Sequence, residues 1–418
     1  MASLLERRGD QITITEDTIK AAARNSNNEV MALLLDRRGD EITITEDIVK
    51  AAAKNHSSDV MALLLDQRGH QITITEDIVK AAANSYTKEV MALLFDRRGD
   101  QIVITEDIVK AAASNTFSEE VMALLLDRRG DQIVITEDIV KVAASNAYHG
   151  EGVMALLLDR RGDQIVITED IMKDAAGSGN NPVIALLFNR RRDQIVITED
   201  IVKAAASSIF GDGVMALLLD QYGNRITITE DILIAAAENE ISGEKIMTVL
   251  LNRCGDQITI TEDVIKTAAI CGLVNILNVL AQRNLVMSNW HIWYHVSKFY
   301  QAARDGDVQI IEQLIDQGVN PDLGDSWGRT PLGAAAAYGR EEVVKILAQR
   351  GDVNINSRTD FGTSPLFFAS GRGFERIVTT PMEAGADPRL VDQNGDTAAI
   401  YARRKGHERI AKILERVG

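Results

Sequence analysis

Residues 38–53 read Arg38-Gly-Asp-Glu-Ile-Thr-Ile-Thr-Glu-Asp-Ile-Val-Lys-Ala-Ala-Ala53, and residues 60–69 read Val60-Met-Ala-Leu-Leu-Leu-Asp-Gln-Arg-Gly69. This unit recurs almost word for word along most of the chain. Its Thr-Glu-Asp triplet starts, at intervals of 30 to 32 residues, at Thr15, Thr45, Thr75, Thr105, Thr136, Thr168, Thr198, Thr229 and Thr261. A fixed period of this length indicates a solenoid, in which small units stack because none can bury its apolar face alone.

The first half of each unit predicts a short extended segment followed by a helix. In residues 41–45, Ile42 and Ile44 alternate with polar residues, which is typical of a half-buried strand. Thr45 is a good N-cap for the helix, and the two acids after it place negative charge at the positive end of the helix dipole. The small side chains of residues 51–53 would let a neighbouring helix approach closely.

The second half of each unit predicts a helix that is buried on more than one side. Residues 30–35 are apolar nearly all round, so this helix should lie between neighbours. Arg37 and Arg38 suit a helix C-terminus, and Gly39 is expected to cap the helix in the left-handed conformation.

The charge and cysteine content of the chain exclude several classes of partner and compartment. The 418 residues carry a net charge of −16, a field that repels phosphate backbones and anionic lipid surfaces and so opposes nucleic acid or membrane as a partner. The two cysteines, Cys254 and Cys271, cannot form a disulfide framework for a chain of this length, which favours a reducing compartment. No apolar run approaches the roughly 20 residues that cross a bilayer, and the N-terminus does not resemble a signal peptide. We therefore expect an intracellular, cytoplasmic protein.

Comparison of the units with one another singles out the loop between the two helices. The helices barely change, whereas this loop changes in residue type and length, and loops on a fixed scaffold are where recognition usually sits. The candidate partner-contact residues are Asn27, His56, Tyr86, Phe117, Tyr148, His149, Asn180 and Phe210 in these loops, with Trp327 and Phe361 further along the chain. Unconstrained drift of surface loops is the alternative. The aromatic residues among the loop candidates either contact a partner or, as we favour, pack against the adjacent unit.

An aromatic-rich junction follows the array at residues 283–298. The stretch 289–300 holds two of the three tryptophans. His291 and His295 stand four residues apart, the spacing of metal ligands on one helix face, but no Cys, Asp or Glu lies close by to complete a site. We interpret the junction as an aromatic plug that seals the seam between two arrays.

From residue 299 onwards the amino-acid sequence resembles ankyrin repeats. Residues 325–336 read Asp325-Ser-Trp-Gly-Arg-Thr-Pro-Leu-Gly-Ala-Ala-Ala336, and residues 338–347 read Tyr338-Gly-Arg-Glu-Glu-Val-Val-Lys-Ile-Leu347. Similar wording starts again at Phe361 and at Asn394, and an entering copy starts at Phe299.

The spacing and cap residues of this block agree with that resemblance. Thr330, Ser364 and Thr397 lie 34 and 33 residues apart, which is the ankyrin period. Thr330 would cap the first helix of its repeat, with Pro331 at the first helical position. Pro381, inside a second helix, should kink or shorten that helix.

The upstream array is similar to a divergent ankyrin-type unit, because Thr-Glu-Asp-Ile-Val-Lys-Ala-Ala-Ala falls where Thr-Pro-Leu-His-x-Ala-Ala would stand. Near-identical units of this wording resemble the C-terminal repeats of fungal ankyrin proteins of the NACHT, NLR-like class. That resemblance implies a mainly α, right-handed solenoid of helical pairs with short extended segments between pairs. It also implies a sensor or partner-binding role beneath a P-loop NTPase. The chain has no Gly-x4-Gly-Lys-Ser/Thr stretch and begins half-way through a unit, so we expect a fragment or a shortened relative.

The recurring charged motifs indicate structure rather than catalysis. Adjacent carboxylates such as Glu46 and Asp47 do not face each other on a helix, and their place at the helix N-terminus explains them. Arg-Gly-Asp, as at Arg38 and Arg350, resembles integrin ligands, but its Gly is expected to be a helix stop. Six scattered histidines build no Ser/His/Asp or Cys/His constellation. We therefore expect no enzyme, no cofactor and no metal.

Together these observations predict three segments: an array of nine units at 1–282, the junction at 283–298, and about four ankyrin repeats with a C-terminal cap at 299–418. The expected function is a non-enzymatic scaffold that binds a protein partner through its inter-helix loops and a groove of the solenoid. The alternative is the sensor region of a NACHT-type signalling ATPase. The charge and the motifs oppose an enzyme or a nucleic-acid binder.

Overall fold

The computed structural model describes residues 14–25, 28–55, 57–85, 87–116, 118–271, 273–282, 290–325 and 327–417. These residues form 26 α-helices in consecutive packed pairs. They contain no β-strand, and an isolated antiparallel bridge joins Val391 to Thr397. The predicted mainly α solenoid of helical pairs is therefore confirmed.

We number the helices α1 to α26 in chain order, so that odd numbers mark the first helix of each pair. The first helices are Glu16–Ala23, Glu46–Ala53, Glu76–Ala83, Glu106–Ser114, Glu137–Ser145, Glu169–Gly177, Glu199–Ser207, Glu230–Glu238, Glu262–Ile270, Trp290–Asp305, Pro331–Ala337, Pro365–Arg372 and Ala398–Arg404. The second helices are Glu29–Arg38, Asp59–Arg68, Glu89–Arg98, Ser118–Arg129, Gly150–Arg161, Asn181–Arg191, Gly211–Tyr222, Gly243–Cys254, Val274–Gln282, Val308–Asp316, Glu341–Ala348, Glu375–Glu383 and Glu408–Val417.

The helices fall into two compact units, Met1–Tyr222 and Gly223–Gly418. In the first unit the odd-numbered helices α1 to α13 pack one against the next, and the second helices α4 to α14 do the same. In the second unit the first helices α15 to α25 pack in the same succession. Helix α19, which begins at Trp290, contacts both α17 and α21, so the stack continues from the last units of the array into the following repeats.

Small and branched side chains build the contact between first helices. In α3, Ile48 and Ala52 are fully buried and Val49 is nearly so. Because the alanines carry only a methyl group, the backbones of successive first helices can approach closely, as expected. The second helix is buried on several sides, with Met61 and Leu64 fully inaccessible, which confirms its predicted position between neighbours.

The extended segments between pairs alternate as expected but form no ladder within the described residues. Ile42 and Ile44 are buried while Thr43 between them is exposed. Stacked helices lie about 8–10 Å apart, whereas paired strands need about 4.8 Å, so the segments of successive units are held too far apart to pair. A side chain can span that distance, and the Ile167 N–H donates to Gln194 Oε1 at 3.2 Å.

The expected left-handed cap at Gly39 is wrong. Gly39 has φ −57°, in the right-handed region, and it opens a 3-10 turn over Gly39–Glu41. The reason for glycine is instead the close approach of an arginine from the next unit. At the equivalent Gly69, an added Cβ would lie 2.5 Å from Arg98 Nη2, and that nitrogen donates to the Gly69 carbonyl at 2.8 Å.

The second compact unit, residues 223–418, contains helix caps that the sequence predicted. The hydroxyl of Thr330 accepts from the Gly333 N–H at 3.3 Å, and Pro331 occupies the first turn of α21. Pro381 does not shorten α24, which runs nine residues to Glu383. In the described part of the chain no helix is both long and apolar enough to cross a bilayer.

Candidate functional site

Buried asparagines connect successive units behind the loops. The Nδ2 of Asn55 donates to the carbonyls of Ala23 and Asn25 of the preceding unit, both at 3.0 Å. Asn180 is 1% exposed and makes the same pair of bonds, to Ala144 O at 3.0 Å and Asn146 O at 2.9 Å. Its amide is thus committed inside the stack, so we remove Asn180 from the candidate contact residues.

The other described loop candidates lie at the surface. Tyr148 is 84% exposed, and His149 beside it in the loop before α10 is exposed too. Phe210 is half-exposed in the loop before α14, where its Cβ lies close to Gly179 of the preceding loop. The favoured packing of these rings against the adjacent unit therefore fails for Tyr148 and holds in part for Phe210. The candidates Asn27, His56, Tyr86 and Phe117 lie outside the described residues.

A row of exposed valines escaped the sequence reasoning. Val103, Val134, Val166 and Val196 occupy the same place in four successive extended segments, and each is 69–74% exposed. In the second and third repeats of the array the same place holds Thr43 and Thr73. Alignment of the units with one another would have found this change, because it converts a polar surface position into an apolar one.

The structure brings Trp327 and Phe361 together at a cleft of about 390 Å³ in the second unit. Both rings are about half exposed, at 54% and 49%. Backbone hydrogen bonds hold the loops that carry them in a row: the Asp360 N–H donates to Trp327 O at 3.0 Å, and the Gln393 N–H donates to Phe361 O at 3.0 Å. Phe368 and Tyr401 also line the cleft, which makes its wall largely aromatic.

An ion pair holds the only arginine that lines this cleft among the described residues. Arg329 Nε donates to Asp325 Oδ2 at 3.0 Å, and both side chains are largely buried. The guanidinium lies over the rings of Tyr300 and Phe368, at 5.3 and 5.9 Å from their centroids. Burial raises the pKa of the Tyr300 hydroxyl, so this ring remains a neutral support for the arginine.

Asp392 also lines the cleft, and backbone hydrogen bonds hold its carboxylate. Burial opposes ionisation of Asp392, but the backbone N–H groups of Asp396 and Asn394 outweigh it and hold the pKa of Asp392 below its ordinary value. The Asp396 N–H donates to Asp392 Oδ1 at 3.0 Å. A charged, ordered carboxylate beside exposed aromatic rings suits recognition of a side chain with an apolar body and a polar end.

Side chains in the described part of the junction and just after it make packing contacts. Phe299 and Tyr300 are buried in α19, and Lys266 Nζ lies 5.7 Å from the centre of the Trp293 ring. Residues 283–289 and the side chain of His291 lie outside what the structure describes. Over the described ranges, no three His, Cys, Asp or Glu side chains are grouped as metal ligands would be.

Comparison with known proteins finds two family models. One, described as Domain of unknown function (DUF7104), matches residues 4–31, 33–61, 63–91, 93–122, 124–154, 156–181, 186–215, 217–247 and 249–270. The other, described as Ankyrin repeats (3 copies), matches residues 299–389.

Among curated proteins the chain is similar to the Ankyrin repeat, SAM and basic leucine zipper domain-containing protein 1 of Dasypus novemcinctus. Identity is 32% over 124 residues, which are 29% of this chain and 26% of that protein. The protein of the same name in Microcebus murinus is 31% identical over 120 residues, 28% of this chain and 25% of that protein. The chain thus spans about a quarter of the length of these relatives.

Proposed function

The chain belongs to the family described as Domain of unknown function (DUF7104), and from this premise, with the ankyrin repeats that follow, we propose that it is a non-enzymatic scaffold that binds a protein partner. Ankyrin repeats are generally protein–protein interaction modules. The observation that carries the proposal is the cleft at Trp327 and Phe361. Large aromatic rings that are half exposed beside a cleft are the residues that most often anchor a protein interface.

The experiment is affinity capture from a native extract with the intact chain, compared with a Trp327→Ala, Phe361→Ala variant. Loss of the captured protein would support binding at the cleft. Tyr338→Ala is the matched control, since this ring is 46% exposed and does not line the cleft. Capture that is unchanged in the Trp327→Ala, Phe361→Ala variant, or lost equally in Tyr338→Ala, would overturn the role of the cleft.

The inter-helix loops are the second part of the proposed contact surface. Tyr148 and His149 project from one loop and Phe210 from another, and both loops join helices fixed by the stack. Replacing residues 146–149 with the corresponding loop of another unit, while the helices are kept, should change which protein is captured. Identical capture would show that these loops are not read by the partner.

We also propose the domain organisation expected above, with an array at 1–282, a junction at 283–298 and ankyrin repeats at 299–418, in an intracellular and cytoplasmic protein. The positions of the two family matches support the boundaries, and the content of only two cysteines, too few for a disulfide framework, supports the compartment. Limited proteolysis that cuts first inside 283–298 would support the junction.

The alternative is that the chain is the sensor region of a NACHT-type, NLR-like signalling ATPase. What favours it is the near-identity of the repeats and their resemblance to the arrays of that class. Sequencing the transcript upstream of Met1 tests the alternative. An in-frame P-loop would support it, and an in-frame stop without a neighbouring P-loop would count against it.

A further inference from the structure

An open groove of about 690 Å³ crosses the exposed faces of successive first helices in the first unit. Alanines at equivalent positions of α3, α5 and α7, namely Ala51, Ala81 and Ala111, line its floor. Charged side chains from the same helices form its walls. A floor of methyl groups leaves room for another chain to come close to the helices.

Lysine–aspartate pairs run along this groove from unit to unit. Lys20 Nζ donates to Asp47 Oδ2 at 2.9 Å, and Lys80 Nζ donates to Asp107 Oδ2 at 2.7 Å. The Lys50–Asp77 pair, at 3.5 Å, completes the same row between them. Each lysine is thus matched by the aspartate of the next unit, and the row itself is close to neutral.

Two further cations in the groove have no such partner. Arg24 and Lys54 are exposed, line the groove and make no ion pair within the described residues. Equivalent positions of later units hold Asn84, Ser114, Ser145, Gly177, Ser207 and Glu238. Since residues without a positive charge stand at this place in the later repeats, the fold does not need a cation there, and the excess of two charges is available to a ligand.

We propose that this groove binds an acidic helical segment of a protein partner; the inference rests on the proposed scaffold function and names the chemistry of its ligand. Free positive charge concentrated in a groove, on a chain whose net charge is −16, attracts an anionic ligand locally. The spacing favours a helix. Successive units lie about 8–10 Å apart, and carboxylates seven residues apart on a helix lie about 10.5 Å apart.

The test is fluorescence anisotropy with the full chain and a labelled, alanine-rich peptide of about 21 residues that carries Glu at every seventh position. The variant Arg24→Ser, Lys54→Asn introduces residues that the chain itself uses at equivalent places. We expect this variant to bind about tenfold more weakly at low salt, because each exposed ion pair contributes modestly and salt screens it. A peptide with Lys in place of Glu should not bind.

The matched control is Arg37→Ser, Lys412→Asn, which removes two exposed positive charges that do not line the groove. It should bind the peptide as the unchanged chain does. Equal weakening in both variants would show that only net charge matters and would overturn the proposal. So would tighter binding of single-stranded DNA or anionic vesicles with the same dependence on Arg24 and Lys54. Capture through Trp327 and Phe361 that persists without peptide binding would leave the scaffold function standing and remove this inference alone.

Discussion

Asn115 shows how a single side chain joins two units of the stack. Its Nδ2 donates to Ala83 O at 3.0 Å and to Ser85 O at 2.5 Å, at the end of the preceding first helix. The last carbonyls of a helix have no partner within the helix. Asn115 therefore satisfies groups that would otherwise be buried without a hydrogen bond, as Asn55, Asn146 and Asn180 do in their own repeats.

Replacing Asn115 with Ala should cost about 2 kcal/mol, because two buried carbonyls lose their donor. The measurement is the shift of the urea midpoint at constant slope. Asn84→Ala is the control, since Asn84 is exposed and its side-chain amide has no hydrogen-bond partner among the described residues. Equal shifts for the two variants would contradict the role of the buried amide.

Two substitutions in adjacent repeats show that the glycine after the second helix of one repeat and the last arginine of the next second helix act as a pair. In one unit the usual glycine is replaced by Arg192, and in the next the usual arginine is replaced by Tyr222. Arg192 then lies over the Tyr222 ring, 5.5 Å from its centroid. The side chain that the glycine normally makes room for has been replaced by a flat ring, so the glycine is no longer required.

Gly69→Ala should destabilise the chain by about 1 kcal/mol, because the new methyl group would displace the Arg98 guanidinium from its hydrogen bond to the Gly69 carbonyl. Backbone strain plays no part, since Gly69 has φ −56°. Gly223→Ala should change stability by less than about 0.5 kcal/mol, as no described atom lies within 4 Å of a Cβ there. Thermal denaturation of both variants gives the comparison, and an equal loss at Gly223 would refute the explanation.

At the scale of the helix, the caps of the first helices also connect neighbouring units. The Thr45 hydroxyl donates to Glu16 at 2.7 Å, and the Thr75 hydroxyl donates to Glu46 at 2.6 Å. The hydrogen bond from Thr45 holds the pKa of Glu16 below its ordinary value, with Lys20 adding to the effect. Thr75 also accepts from the Ile78 N–H at 3.4 Å, so it serves its own helix and the one before it. Within the described residues, the Thr45 side chain bonds only to the preceding helix and does not make the cap hydrogen bond expected of it.

The lysine–aspartate row predicts a pH dependence with two limbs. The hydrogen bond from Lys80 lowers the pKa of Asp107 below 3.8, so that contribution is complete above 3.8 and is lost as pH falls through the lower, folded value. The hydrogen bond from Asp107 raises the pKa of Lys80 above 10.5, so that contribution is complete below 10.5 and is lost as pH rises further.

We therefore expect a variant with Gln in place of Lys20, Lys50, Lys80 and Lys110 to differ most from the unchanged chain between about pH 5 and pH 10. The two urea midpoints should converge at both extremes, and 1 M salt should reduce the difference, because these side chains are partly exposed. A constant difference across the whole pH range would show that the row contributes by packing and not by charge.

At the scale of the molecule, each compact unit is a succession of contacts between neighbours. In the first unit α7 packs against α5, α8 and α9, which belong to its own pair and the two adjacent pairs. Stability in such a stack is approximately a sum over units and their interfaces. Removing one whole unit should therefore shorten the stack without destroying it.

Deletion of residues 46–75, one full period, joins Thr45 to Glu76 and so keeps the Thr-Glu-Asp sequence of the repeat at the new junction. We expect the mean helicity per residue by circular dichroism to stay the same and the urea midpoint to fall modestly. Deletion of residues 46–58 is the control, because it removes α3 with the loop after it and leaves the partner helix α4 without a first helix to cover it. Loss of helicity in both deletions would contradict the additive stack.

The period, the order of the elements and the alternation of Ile42 and Ile44 could be predicted because they depend on chemistry within a few residues of the chain. The conformation of Gly39 and the burial of Asn180 could not, because their partners belong to adjacent units about 30 residues away. The exposure of Val103 and the meeting of Trp327 with Phe361 depend on the same spacing between stacked helices.

From its letters alone, this chain specifies a stack of helical pairs, since a repeated apolar face has no way to leave water except against its own copy. The distances between copies decide the rest. They determine which glycine must leave room for an arginine of the next repeat and which side-chain amide bonds inside the stack. They also determine which cations have no ion-pair partner among the described residues. Those distances come from helix packing, and no single unit contains them.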